Sequence, residues 1–585
     1  MFKLFKRLSK KQIGMILICI IFVVTQVYLD LKLPDYMSEI TKLMETKGTT
    51  IKDIMNPGSK MLLCALGSLL SSVIVGFFAA TISARFSQDL RKDVFERVNS
   101  FGMEEMKKFS TSSLITRTTN DITQVQMLIA IGLQMLIKAP ILAVWAIIKI
   151  ANKNWEWTLA TGGAVILLLT MITILIILVI PKFELVQKLI DNLNNVTREN
   201  LVGIRVVRAF NAEKYQQEKF ANANNILTDT QLFNQRMMAI INPGMSFISS
   251  ILTLSIYFLG ANMINSAGLM DKIGIFSDMI VFSSYAMQVI MAFMMLSFML
   301  IIYPRSEVSA KRINAVLESS SSIADGHISE LPEEKGHIEF KNVSFKYPDA
   351  EEYMLKNISF KAERGQTIAF IGSTGSGKST LVNLIPRFYD ATDGEILIDG
   401  ENIKDYKLED LYNKLGYISQ KAVMFSGSIK DNIKYGKSLN KIEDTEIKKA
   451  IEMAQGTDFV EKMPEKYDSH IAEGGSNVSG GQKQRLSIAR AIARNPEIYI
   501  FDDSFSALDY KTDYLLRKNL KENMQDATIL IVAQRIGTIK NANQIIVLDE
   551  GSIVGQGTHH ELLKNCRVYQ EIALSQLSKE ELENE

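Results

Sequence analysis

Six long apolar runs dominate the first half of the chain, near residues 13–31, 60–83, 127–149, 157–180, 237–264 and 279–303. A membrane-crossing helix needs about 20 mostly apolar residues, so each run is long enough to span. The last two contain no charged residue. The third is interrupted by Lys138 and Pro140. An ionisable group inside a span is a candidate functional group, but a lysine facing a water-filled cavity or a neighbouring helix fits the pattern equally well. Five positive charges, Lys3, Lys6, Arg7, Lys10 and Lys11, precede the first run, and no small-residue cleavage site follows it. It therefore reads as an uncleaved first helix with the N-terminus in the cytoplasm.

The connections between runs are unequal. Long polar, amphipathic stretches cover 84–126 and 182–236, both on the cytoplasmic side, whereas 151–156 is a tight turn on the outside. In the second stretch Val202, Val206, Ala209 and Phe210 recur at helical spacing, which predicts helix rather than disordered loop. The spanning helices are therefore expected to continue well beyond the bilayer, with tips able to touch a cytoplasmic domain.

Past Tyr303 the pattern changes. A helical segment at 306–317 leads into a polar stretch, 318–336, which reads as a linker. Residues 338–345 alternate like a strand, 367–371 form a short buried strand, and helix and strand patterns then alternate, as in an α/β domain. The expected organisation is a membrane α-helical domain over 1–317, with six long helices and cytoplasmic extensions, then the linker and an α/β domain over 337–585.

Composition adds little. At 585 residues the chain exceeds one hydrophobic core, and the 47% apolar content averages two unlike halves. A net charge of +1 gives no electrostatic reason to expect a nucleic-acid partner. Cys19, Cys64 and Cys566 share no metal-ligand or redox spacing, so neither a disulfide nor a structural metal is expected.

The chemistry lies in the second half. Gly372, Ser373, Thr374, Gly375, Ser376, Gly377, Lys378, Ser379 and Thr380 follow an apolar strand and open a helix at Leu381. Glycines let backbone N–H groups turn inward around phosphates, and the helix N-terminus adds favourable partial charge. Lys378 is placed to reach the β- and γ-phosphates of ATP, and the Ser379 hydroxyl to bind Mg²⁺. About 120 residues on, the apolar strand Ile498-Tyr-Ile-Phe ends in Asp502 and Asp503. The first carboxylate of such an element holds Mg²⁺, directly or through water, and the second is placed to orient and activate the attacking water.

With these elements in place, Val478-Ser479-Gly480-Gly481-Gln482, followed by Lys483-Gln-Arg485, resembles the signature of the ABC transporter family, in its exporter form with fused membrane and nucleotide-binding domains. The resemblance covers essentially the whole chain and makes the α/β domain a P-loop NTPase of ABC type. It implies that Ser479, Gly480, Gly481 and Gln482 bind the γ-phosphate of ATP held by another subunit. It also implies that Tyr347 stacks on adenine and that Gln420, in Tyr417-Ile-Ser-Gln420, senses Mg²⁺ and faces the membrane domain. Ser506, Ala507, Leu508 and Asp509 match the loop that crosses between subunits. Glu473-Gly-Gly-Ser476 resembles the segment that contacts the long intracellular loops, and 114–121 and 203–210 resemble those loops.

Two departures from the family pattern stand out. Asp503 occupies the position of the catalytic glutamate, one methylene shorter, and Gln534 that of the switch histidine, without its capacity for positive charge. Together they imply slow hydrolysis, or none, of ATP on this chain's own phosphate loop. With an intact signature, the pattern is similar to the degenerate-site subunit of heterodimeric bacterial multidrug ABC exporters. A second half-transporter is thus the expected partner, a homodimer being the alternative, in a bacterial plasma membrane with the nucleotide-binding domain cytoplasmic.

The substrate is less legible. Met287, Met291, Met294, Met295 and Met299, with Phe293 and Phe298, give the last span a flexible apolar surface suited to amphipathic compounds of varied shape, though the same residues serve ordinary packing. No acidic residue lies in the fifth or sixth span to act as a counter-ion for cationic drugs. No peptidase-like segment precedes the first span, so leader-peptide processing is not expected. Lipid or peptide export, and a regulatory or sensor subunit with little transport, stand as alternatives.

Overall fold

A computed structural model describes residues 1–45, 49–151, 155–268, 271–328, 335–436 and 442–576. Parts of the expected outer turn (152–154), of the linker (329–334) and of the C-terminal end (577–585) lie outside the described residues. The chain divides into two compact units. One comprises Met1–Asn99 and Ser112–Glu318; the other comprises Ser100–Thr111 and Ser319–Glu585.

The first unit is helical. Its long helices are α1 (Lys10–Glu45), α2 (Ile51–Asn99), α3 (Asn120–Ala151), α4 (Trp155–Val202), α5 (Glu213–Ala239), α6 (Ile241–Ser266) and α7 (Asp271–Leu317). Taking α5 and α6 as one nearly continuous rod, six are long and apolar enough to cross a membrane. The 49 residues of α2 rise about 70 Å at 1.5 Å per residue, against roughly 30 Å of hydrocarbon. The expected extensions beyond the bilayer therefore exist. Pro34, Pro57, Pro140, Pro181 and Pro304 lie inside these helices, which membrane helices tolerate where neighbouring groups re-satisfy the freed carbonyls. The packed centre is built from α1, α3, α4, α6 and α7 with Val75 of α2, Trp157 lying against Phe282 at 5.2 Å and Tyr285, Val289 and Ala292 fully enclosed.

Several charged side chains in this unit pair across helices. Lys138 of α3 meets Asp30 of α1 at 3.1 Å, and Asp30 also accepts from Ser68 of α2. Lys149 of α3 meets Asp35 at 2.8 Å, and the Tyr285 hydroxyl donates to the same carboxylate. Lys138 therefore faces a neighbouring helix. Between α4 and α5 a short helix spans Ile204–Ala209. Its Val207 is buried, but Val202, Val206 and Phe210 are 84%, 61% and 79% exposed.

The second unit is α/β. A four-stranded antiparallel sheet runs in the order β2 (Leu355–Ala362), β1 (Ile338–Phe345), β4 (Asp393–Ile398), β5 (Glu401–Asn402). A six-stranded sheet runs β10 (Ser552–Gly557), β9 (Gln544–Asp549), β3 (Thr367–Gly372), β8 (Thr528–Val532), β7 (Ile498–Asp502), β6 (Leu415–Ile418). All but its β10 edge are parallel. Parallel central strands are covered on both faces, and β7 and β8 are buried at every position. The register sets Val532 opposite both Asp502 and Phe370, so the ends of β3, β7 and β8 converge.

Candidate functional site: a phosphate loop, two carboxylates and an exposed signature

The loop between β3 and the helix Lys378–Leu384 turns through Gly375 (φ +87°) and Gly377 (φ +96°), a region that costs residues with a Cβ but not glycine. At Gly377 a Cβ would also lie 2.7 Å from Leu355. Lys378 closes the loop on itself, its Nζ donating to the carbonyls of Gly372 (3.0 Å) and Ser373 (2.7 Å). Burial pulls the Lys378 ammonium below its ordinary pKa, while Asp503 and Asp502 pull the other way. The Ser379 hydroxyl donates to Asp502 Oδ1 at 2.7 Å. Backbone donors, a buried ammonium and a hydroxyl on a carboxylate form the donor set that a nucleotide triphosphate with Mg²⁺ requires, so the residues fit that group.

Asp502 ends β7 and Asp503 follows it, and burial raises both carboxyl pKa values; for Asp502 the neighbouring Asp503 charge adds to the rise. Asp503 sits in the left-handed region at φ 47°, which aspartate tolerates better than most residues. Its Oδ2 accepts from Gln420 Nε2 (3.1 Å) and from Gln534 Nε2 (2.8 Å). Two amides on one oxygen occupy lone pairs that a base would turn toward a water. The structure thus gathers Lys378, Ser379, Asp502, Asp503, Gln420 and Gln534 at one place, Ser379 bonded to Asp502, both glutamines to Asp503, and Lys378 coupled to the two carboxylates by charge.

Tyr347 is joined to the loop by its hydroxyl, 3.0 Å from Thr380 Oγ1, and meets Phe345 and Tyr389 edge to face. Lys107, from the helix Met103–Phe109, lies 5.5 Å from the centre of the Tyr347 ring. That helix is held in the second unit by buried Glu105, which accepts from the Gly102 and Ser322 N–H groups at 3.0 and 2.9 Å. Neither Lys107 nor Glu105 is legible in the sequence as a site residue, because nothing local marks a loop residue whose partner is more than 200 positions away. Tyr417 was visible only as part of a motif. Its hydroxyl donates to Asn383 and lies 3.5 Å from Asp502.

The signature stands apart. Ser479 caps the helix Gly480–Ala493: Ser479 Oγ accepts from the Gln482 N–H and Gln482 Oε1 from the Ser479 N–H. Ser479 and Gly480 are exposed, and among the described residues no hydrogen bond joins 479–482 to the phosphate loop. Its near neighbour is the loop 506–509, since a Cβ on Gly481 would lie 3.3 Å from the Ala507 carbonyl oxygen. In that loop Ser506 donates to the Asp503 carbonyl, Leu508 is buried, and Asp509 caps the helix Tyr510–Asn523.

A phosphate loop, paired carboxylates and a separate exposed signature on one α/β unit, preceded by six membrane-length helices, define an ATP-driven membrane transporter. The chain belongs to the ABC transporter family. The family's transmembrane region matches residues 16–293 and its ABC transporter domain 355–506. An uncharacterized ABC transporter ATP-binding protein of Mycobacterium tuberculosis is 36% identical over 93% of both chains. The ATP-dependent lipid A-core flippase of Pseudomonas aeruginosa is 31% identical over 86% of this chain and 82% of its own. A bacterial Atm1-family ABC exporter solved with ATP bound shares the fold, with a TM-score of 0.80 at 23% identity over 96% and 99% of the two chains. The protein is therefore a multi-pass membrane ATPase coupled to transport, with membrane and nucleotide-binding domains fused, and as a half-transporter it dimerises.

Proposed function

We propose that this chain is the degenerate-site half of a heterodimeric exporter of hydrophobic or amphipathic compounds in a bacterial plasma membrane. In this reading residues 1–317 form the membrane domain, 318–336 the linker and 337–585 a cytoplasmic nucleotide-binding domain. What carries it is the double hold of Gln420 and Gln534 on Asp503, beside a signature with no phosphate partner of its own.

ATP on residues 372–380, with Tyr347 against the adenine, is held and turned over slowly. Lys378 leaves its loop carbonyls for the β- and γ-phosphate oxygens. Ser379, Asp502 and Gln420 would hold Mg²⁺, which when bound would neutralise charge on the phosphates. Asp503, engaged by two amides and one methylene short, neither orients water nor takes its proton well. Ser479 to Gln482 instead present N–H groups and the Ser479 hydroxyl to the γ-phosphate on the partner's loop, and Ser506 to Asp509 line the crossing between subunits. Nucleotide binding closes the pair and hydrolysis on the partner's loop reopens it, a two-state element biased by a ligand. The flippase relative favours a lipid as a second class of cargo.

The test is magnesium-dependent ATP hydrolysis by this chain alone and co-purified with its suspected partner. Activity only in the pair, largely retained in Asp503→Ala and abolished by Gly480→Asp, is the expected result. Gly480→Asp suits the purpose because no atom lies within 4 Å of a Cβ there, so the variant adds charge without crowding. Brisk hydrolysis by the chain alone, lost in Asp503→Ala, would overturn the heterodimer.

A further inference from the structure

A cavity of about 200 Å³ opens between α1, α2 and α7. Asp30, Ser284 and Gln288 give its lining a polar part, and Leu33, Met37 and Met61 an apolar part. The polar part is balanced in charge but not in hydrogen bonds. The Asp30 carboxylate already faces the Lys138 ammonium at 3.1 Å and accepts from Ser68, yet a carboxylate has about four acceptor positions. Gln288 donates its Nε2 to the Asp30 carbonyl at 3.4 Å, which assigns the other end of the amide as oxygen. That Oε1 is buried and without a hydrogen-bond partner.

From this imbalance we infer that the cavity binds the uncharged, hydroxyl-bearing head of an amphiphile, such as a glycerol head on an acyl chain. An anion would approach a carboxylate. A cation would add an uncompensated charge to an ion pair already neutral as it stands, and removing such a charge from water is costly. Hydroxyl donors satisfy the spare positions on Asp30 with no net charge and, once the Gln288 side chain turns toward the cavity, its Oε1 as well, which relieves a buried acceptor that is otherwise expensive to leave unpaired. The volume corresponds to roughly seven waters at about 30 Å³ each, room for a glycerol head, and the thioether and leucine wall takes the first methylenes. The inference deepens the amphipathic-export reading by naming the class of cargo, and it is tested by binding, which needs no ATP hydrolysis.

The experiment is equilibrium binding of three probes with one tail length (1-monooctanoylglycerol, octylammonium and octanoate) to the full chain in lipid nanodiscs, corrected for empty nanodiscs. Monooctanoylglycerol is expected to bind at least tenfold more tightly than either charged probe. Gln288→Leu is expected to weaken it about tenfold, the effect of losing a hydrogen bond in a desolvated site. Met61→Trp fills the cavity from its apolar wall and should remove binding while leaving the Asp30–Lys138 pair in place. Equal binding of all three probes, preference for octylammonium, or unchanged affinity in both variants would overturn the proposal. Hydrolysis by the chain alone, by contrast, would overturn the heterodimer reading and leave this result untouched.

Discussion

On the degenerate-site reading proposed above, Asp503 carries two separable defects, a short side chain and an occupied oxygen, and substitutions can tell them apart. Asp503→Glu repairs the length but leaves Gln534 in donor range of the carboxylate, so a rise of less than about threefold in hydrolysis at this chain's site is expected. Adding Gln534→His restores a group able to carry charge, and the double variant should rise by tenfold or more, within the usual reach of a positioned base, about 10² to 10⁴. The readout is ATP turnover by the pair with the partner's own carboxylate removed. Near-equal rates in the single and double variants would show that Gln534 is not the restraint.

The same residue sets a pH dependence. Burial raises the Asp503 carboxyl pKa above its unfolded value, so between the two values the folded state binds more protons than the unfolded state. Stability then falls as pH rises through that window. Asp503→Asn keeps an oxygen for the two amides and removes the buried charge. Nucleotide-free protein carrying it should melt higher than wild type at pH 7, with the gap closing toward pH 4. A gap independent of pH would mean that the charge is not what Asn relieves.

At the scale of elements, two short helices between the long ones behave differently. The helix Met103–Phe109 is latched by Glu105, whose carboxylate takes N–H groups from Gly102 and Ser322. Glu105→Ala leaves two donors without that acceptor at about 1–3 kcal/mol each, so amide exchange over 100–111 should accelerate while strands β3 and β7 stay protected. At the helix Ile204–Ala209, Val206 and the flanking Val202 and Phe210 are exposed, and no such latch holds them among the described residues. An apolar face of this kind on a dimerising protein predicts contact with another chain. Val206→Asp with Phe210→Asp should abolish hydrolysis by the pair while leaving nucleotide binding to this chain intact; unimpaired hydrolysis would remove that face from the coupling.

For the whole molecule, the methionines of α7 illustrate how packing sorts residues that look alike in sequence. Met287, Met291 and Met294, with Phe298, are exposed along one side of the helix, whereas Met299 is buried. The adaptable surface anticipated from composition is thus narrower than the count of methionines suggests. The span 279–303 itself carries no acidic residue, although α7 also contains Asp271, Asp278 and Glu307 outside it. Its surroundings do supply acids, because α1 brings Asp30 to Gln288 and Asp35 to Tyr285. Acidic groups therefore line this part of the membrane unit, each already matched by a lysine.

What the amino-acid order determines by itself is local or periodic. Apolar runs of membrane length, strands of alternating or continuous hydrophobicity, a glycine-punctuated loop between strand and helix, and a signature motif all act over a few turns of chain. Their physics is readable without partners: the loop 372–380, the carboxylates at the end of β7 and the six long helices fall in this group. Tertiary structure alone decided which distant groups meet. Gln420 and Gln534 converge on one oxygen of Asp503 because β6 and β8 flank β7 in a parallel sheet. Lys138 finds Asp30 across 108 positions, and Glu105 finds Ser322 across 217. No periodicity encodes such pairings, since they follow from how helices and strands stack and from the high cost of leaving a buried charge or donor unmatched.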